Sequence, residues 1–162
     1  MQTIKFKKAF TMIELLFVIV VIGILAGVAI PRLAATRDDA EITKGATILS
    51  SIRNALSIER QKRILRGDFT PITAVGDSTN VFDMFSPDKN GNQEKVLEYP
   101  IVSESEKYHW RYVDNNNTYF CLSNVCNGNS DTIRFQLNSG RFLCHEADVS
   151  SGKCSMLGVT AE

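Results

Sequence analysis

Residues Phe10 to Ile30 read Phe-Thr-Met-Ile-Glu-Leu-Leu-Phe-Val-Ile-Val-Val-Ile-Gly-Ile-Leu-Ala-Gly-Val-Ala-Ile, a run of 21 in which Glu14 is the only charge. About 20 apolar residues cross a bilayer as a helix. Lys5, Lys7 and Lys8 stand just before the run and a predominantly polar chain follows it. Positive flanks stay on the cytoplasmic side, so the N-terminus is expected inside and the bulk of the protein outside. A carboxylate within such a span costs several kcal/mol unless it is paired, and residues of that kind are usually functional. Two plainer readings leave Glu14 unexplained. A secretory signal peptide could end at Gly27-Val28-Ala29, but its apolar core should run about 7 to 15 residues without a charge. An uncleaved single-span anchor accounts for the hydrophobicity alone. Gly23 and Gly27 form Gly-x-x-x-Gly, which fits either close helix packing or local helix loosening.

Working outward, the chain beyond Pro31 turns polar but keeps a helical period. Ile42, Ala46, Leu49, Ile52 and Leu56 recur three or four apart and form one apolar stripe. Gly67 is a natural stop, with Arg60, Lys62, Arg63 and Arg66 in the last turns, where cations complement exposed carbonyls. One helix over Phe10 to Leu65 would be roughly 84 Å long, and half of it must lie outside the membrane. Pro71, Gly76, Pro87, Gly91 and Pro100 then punctuate a long connection without periodicity. Four strand-like runs follow: Tyr108–Val113, Thr118–Leu122, Thr132–Leu137 and Arg141–His145. The turn compositions of Asp114-Asn115-Asn116-Asn117 and Asn138-Ser139-Gly140 predict an antiparallel meander. One face of it would bury the helical stripe, with Tyr108, Trp110 and Tyr112 as packed aromatics rather than a stacking platform.

Cys121, Cys126, Cys144 and Cys154 all fall in the last 42 residues. An even, clustered set behind an export-type N-terminus points to disulfides in an oxidising compartment. Spacing admits three pairings, and loop proximity favours Cys121 with Cys126 and Cys144 with Cys154. Zinc is disfavoured, because neither pair has a two-residue gap and His109 and His145 fall outside a finger-like spacing.

Residues 7–16, Lys-Lys-Ala-Phe-Thr-Met-Ile-Glu-Leu-Leu, with the apolar run up to Pro31, closely resemble the prepilin-type cleavage and methylation signal of type IV pilins and type II secretion pseudopilins. The resemblance covers about residues 5–35. It implies that a membrane prepilin peptidase cuts between Ala9 and Phe10 and methylates the new Phe10 amine. Glu14 then becomes a filament-assembly residue and Pro31 the helix kink at the membrane exit. The family mostly has glycine where Ala9 stands, so slower or peptidase-specific processing is expected. Cleavage also gives Glu14 a partner, since the freed Phe10 amine of a neighbouring subunit is a cation at nearly the same depth.

The expected fold is therefore α+β and pilin-like, a long N-terminal helix packed against a small antiparallel sheet. Its parts are a leader (1–9), a transmembrane half-helix (10–30), an exposed amphipathic half-helix (31–66) and a head (67–162). The expected role is a structural subunit of a type II secretion, DNA-uptake or type IV pilus-like filament, located in the inner membrane with a periplasmic head. Its partners would be the prepilin peptidase, other pilin or pseudopilin subunits, an inner-membrane assembly platform and membrane lipid. The alternative is a membrane-anchored periplasmic binding protein that does not polymerise, and a soluble periplasmic enzyme comes third.

No catalytic set is visible, because neither histidine has a nucleophile arrangement beside it. No cofactor is required. Asp88, Asn90, Asn92 and Glu94 place oxygen donors at alternate positions, as calcium loops do, and resemblance to the major pseudopilins adds a reason to consider calcium. The glycine is fourth rather than sixth, however, and Asn90-Gly91 is a tight-turn pair, so a solvated turn is preferred. Direct DNA binding is not indicated: without residues 1–9 the chain holds 15 basic and 18 acidic side chains, a net charge of −3. The Arg60 to Arg66 cluster reads as a solvated helix end.

Overall fold

The computed structural model describes residues 10–76, 79–114, 117–123, 126 and 131–159, with residues 34, 35, 114 and 117 as backbone only. The leader 1–9, Ala9 included, and Asn115-Asn116 of the expected turn lie outside this set. The chain divides into two compact units, Met1–Ala40 and Glu41–Glu162. The layout is α+β and pilin-like, with a long N-terminal helix, α1 (Met12–Leu65), followed by small antiparallel sheets.

In the first unit the apolar run of α1, from Met12 to Ile30, packs on nothing among the described residues. Met12, Phe17, Ile24 and Leu33 are between 67% and 89% exposed, a density of bare apolar surface that water does not tolerate without a cover. The helix is long and apolar enough here to cross a membrane. Pro31 lies inside α1. It has no N–H to give the Gly27 carbonyl, so one rung of the helical ladder is missing at the point where the apolar run ends.

The second unit is built on the rest of α1. Gly45, Leu49, Ile52, Leu56, Glu59 and Arg63 are all buried, and their alternating four- and three-residue spacing keeps them on one face. The stripe read from the sequence thus also takes in a glycine, Gly45, and is continued beyond Leu56 by two charged residues. Within the basic cluster read as a solvated end, Arg60, Lys62 and Arg66 are exposed, but Arg63 departs from that reading, being only 2% exposed. Gly67 ends the helix in a left-handed conformation (φ 68°). Its N–H donates to the Ile64 carbonyl at 2.9 Å, and the Asp68 N–H donates to the Arg63 carbonyl at 2.8 Å. Those two bonds make a Schellman cap, a job for which glycine carries no steric cost.

Against the stripe lies a four-stranded meander in the order β3-β4-β5-β6: β3 (Trp110–Asp114), β4 (Asn117–Cys121), β5 (Thr132–Asn138) and β6 (Arg141–Cys144). The register sets Trp110 opposite Phe120, Phe120 opposite Ile133 and Leu137 opposite Phe142, so alternation brings these residues to one face. Their rings form the core. Trp110 lies 5.1 Å from Phe120 and 5.4 Å from Phe135, and Phe135 stacks on Phe142 at 5.3 Å. Each large apolar side chain fully buried there contributes about 1.5–3 kcal/mol. Gly45 permits a close approach of helix to sheet, since a Cβ on it would come within 2.7 Å of the Phe120 ring.

The segment between Gly67 and Tyr108 is more than a connection. It holds a two-stranded antiparallel pair, β1 (Asn80–Val81) with β2 (Ile101–Val102). It also contributes Ile72, Val75, Val81, Phe82, Phe85 and Val96 to the core. Phe82 packs edge-on to both Trp110 and Phe142. A short helix, α2 (Glu146–Ser150), and a 3-10 turn over Lys153–Leu157 close the chain, and His145 caps α2 by accepting the Ala147 N–H at its Nδ1.

Candidate functional site

The N-terminal turn of α1 is organised by Thr11. Its Oγ1 accepts the Glu14 N–H at 3.3 Å, and its carbonyl accepts the Leu15 N–H at 3.2 Å. Thr11 is therefore the N-cap and Glu14 the third helical residue, the Thr-x-x-Glu spacing of a capping box. The sequence carried that signal, and the reading of Glu14 as a charge awaiting an external partner passed over it. The Glu14 carboxylate lies in the first turn, where unsatisfied N–H groups make the helix end electropositive. Phe10, just before the cap, is 79% exposed. Phe10, Thr11 and Glu14 thus lie within one turn, and nothing among the described residues of the same chain covers them.

In the second unit the structure joins Cys121 to Cys126 and Cys144 to Cys154, with Cα separations of 5.3 and 6.3 Å. The first closes the loop leaving β4, and the second ties the 3-10 turn to the end of β6.

Of the four residues considered for calcium, Asp88 and Glu94 have their carboxylates bound within the described chain. Asp88 folds back on its own loop, where Oδ1 accepts the N–H groups of Asn90 and Asn92, both at 2.8 Å. These bonds, the one from Asn92 foremost, hold its carboxyl below the usual range. Glu94 instead binds the helix end, accepting from Lys62 at 2.5 Å and Arg66 at 2.9 Å, and both lower its pKa, Lys62 the more. Asp68, beside this loop, accepts the N–H groups of Lys89 and Thr70 and is lowered to about 2 by those bonds. Among the described residues, Glu104, Glu106 and His109 offer ligand atoms within 4.8 Å of one another, all exposed.

Arg63 is the hub of the helix end. Nε donates to Glu59 Oε1 at 2.8 Å, Nη2 to the Ser86 carbonyl at 2.5 Å and Nη1 to the Pro87 carbonyl at 3.5 Å. Of the basic residues taken for a solvated cluster, Lys62, Arg63 and Arg66 therefore fasten the 68–94 segment to α1, while Arg60 donates to the Ser139 carbonyl. No local sequence pattern marks this, because the acceptors in that segment, the Ser86 and Pro87 carbonyls and the Glu94 carboxylate, lie more than twenty residues away.

With this geometry in hand, comparison with known families is specific at one end of the chain. Residues 4–30 match the model of the prokaryotic N-terminal methylation motif, which is the prepilin-type signal of type IV pilins and pseudopilins. The match takes in the capped turn and most of the exposed apolar helix. No solved structure matches the chain.

Proposed function

We propose that this chain is a prepilin-like structural subunit, cut between Ala9 and Phe10, methylated on the Phe10 amine and assembled into a type II secretion, DNA-uptake or type IV pilus-like filament. The observation that carries the reading is the methylation motif at residues 4–30, running directly into a bare apolar helix whose one charge, Glu14, sits in its first turn. Lipid covers that surface while the chain is an inner-membrane protein, with its N-terminus cytoplasmic and its head periplasmic. Other subunits cover it after assembly on an inner-membrane platform. Burying Glu14 in either setting is costly without a partner, and the Phe10 amine freed by the peptidase on a neighbouring subunit supplies the opposite charge. The Thr11 cap holds the Glu14 backbone in place for that pairing. The head would then project from the assembly, with its disulfides suited to an oxidising compartment.

Mass spectrometry of the mature N-terminus tests this reading. The expected product begins at a methylated Phe10. An intact Met1 would identify an uncleaved anchor, and a start near Ile30 a secreted protein; either result overturns the proposal.

A further inference from the structure

We infer that the head carries a peptide-binding groove that takes an extended segment bearing both acidic and apolar side chains. The groove, of about 1020 Å³, runs between the outer part of the α1 head segment and the β6–α2 region. Three arginines line it, Arg53, Arg60 and Arg141, against one carboxylate, Glu146.

Pairing with carboxylates sets most cations of the head apart from them, although Lys89 and Arg111 likewise donate to backbone carbonyls and to no carboxylate among the described residues. Lys44, Lys62, Arg63, Arg66, Lys95, Arg134 and Lys153 each pair with a carboxylate within the head. Among the described residues none of the groove arginines does. Arg53 donates from Nε to the Phe142 carbonyl at 3.2 Å, and Arg60 from Nη1 to the Ser139 carbonyl at 3.3 Å. A guanidinium has five N–H donors, so these bonds orient the two forks and leave donors for a ligand. Arg141 is exposed and reaches no acceptor in the described chain.

Arginine forks match carboxylates two bonds at a time, which identifies the anion. The remaining lining identifies what accompanies it. Leu143 is 38% exposed, and Val149 and Val159 are half-buried on the same groove. These apolar walls add nothing for a phosphate polymer, whereas they accept the aliphatic side chains of a peptide. The volume lies at the upper end of the roughly 300–1,000 Å³ of ligand pockets, more than a single carboxylate or phosphate fills. The occupant is therefore a short stretch of another polypeptide that carries both acidic and apolar side chains. This inference does not depend on the filament reading.

The test uses the full chain in lipid nanodiscs and fluorescence anisotropy, read against empty discs. The probes are labelled octapeptides alternating Glu with Leu, Lys with Leu and Glu with Ser, and a single-stranded oligodeoxynucleotide. The Glu–Leu peptide should bind most tightly, and the Lys–Leu peptide not at all. Arg141→Glu, a change at an exposed side chain without a partner, should weaken Glu–Leu binding at least tenfold, and Arg53→Gln should weaken it as well. An unchanged melting temperature of Arg141→Glu shows that the loss is not unfolding. No binding of the Glu–Leu peptide, binding indifferent to Arg141→Glu, or tighter binding of the oligonucleotide at the same arginines would each overturn the inference.

Discussion

Arg63 and Glu59 form a buried ion pair one turn apart on α1, with Nε and Oε1 separated by 2.8 Å and both side chains at most 4% exposed. Because Arg63 also binds the Ser86 carbonyl, this pair is where the helix holds the segment that follows it. Glu59 Oε2 has no partner among the described residues, so the pair is not fully compensated.

Arg63→Ala should therefore be among the most damaging substitutions in the head. Leaving Glu59 as an uncompensated buried charge costs about 3–5 kcal/mol, measurable by urea denaturation. The double change Glu59→Leu with Arg63→Met removes both charges and should recover most of that loss, retaining about 1–3 kcal/mol for the orphaned Ser86 carbonyl. If the single variant is as stable as the double, the pair does not act as described.

Gly45→Ala tests the approach of helix to sheet. Alanine gains about 1 kcal/mol of helix propensity over glycine, yet overpacking against the Phe120 ring costs about 1–3 kcal/mol. The expected net effect is destabilisation of up to about 2 kcal/mol, relieved by adding Phe120→Leu. A plain gain in stability from Gly45→Ala would mean that the contact is looser than 2.7 Å implies.

Acid should loosen the head from two places. Asp68 has its pKa lowered from 3.8 to about 2 by backbone N–H bonds from Lys89 and Thr70. For Asp148, burial pushes upward, but the bonds from Arg134 outweigh it and the net shift is downward. Both groups release protons more readily folded than unfolded, so the stability they lend is present above the unfolded pKa near 4. It is lost as pH falls through the lower folded values. Melting temperature should be flat from pH 7 to 5 and drop toward pH 2, with a shallower drop in Asp68→Asn. An equal slope in that variant would remove Asp68 from the account.

Opening the Cys144–Cys154 bridge, by Cys144→Ser with Cys154→Ser, should cost the head about 2–4 kcal/mol while leaving membrane insertion intact. The native protein should yield no alkylated thiol before reduction. Labelling of all four cysteines in the untreated protein would contradict both expectations.

Glu14→Ala separates a filament subunit from a simple anchor. In an anchor the change removes a charge from an apolar span and should leave insertion unaltered or improved. In an assembled subunit it leaves the neighbouring Phe10 amine unpaired in an apolar interface, a strongly unfavourable arrangement. The expected phenotype is normal cleavage and fractionation with loss of subunit crosslinking. Normal crosslinking would withdraw the electrostatic role given to Glu14, and Thr11→Val provides a comparison that disturbs the cap alone.

The segment 67–107 shows where reading along the chain stops working. Ile72, Val75, Val81, Phe82, Phe85 and Val96 are buried without helical or strand period, so no repeat announces them. They are held inward by Arg63 on the Ser86 carbonyl, by Ser86 Oγ on the Thr73 N–H and by Asp68 on Lys89. The same distance in sequence hid the pairing of Lys62 and Arg66 with Glu94. The Thr11 cap, by contrast, was legible, being a relation between residues three apart.

What the sequence determined by itself rests on local periodicity and local chemistry. The 21-residue apolar run, the helical stripe, the glycine stop and the turn-separated strands each follow from interactions within a few residues, which local order encodes directly. The tertiary structure decided which charges are buried, which carboxylates hold the 68–94 loop and which arginines are left facing an open groove. Those outcomes depend on which backbone carbonyls and carboxylates distant segments deliver to a given side chain, and burial makes each such meeting either costly or stabilising. Arg60 and Arg63 stand three residues apart on one helix. Packing alone makes one the buried anchor of a loop and leaves the other at the groove.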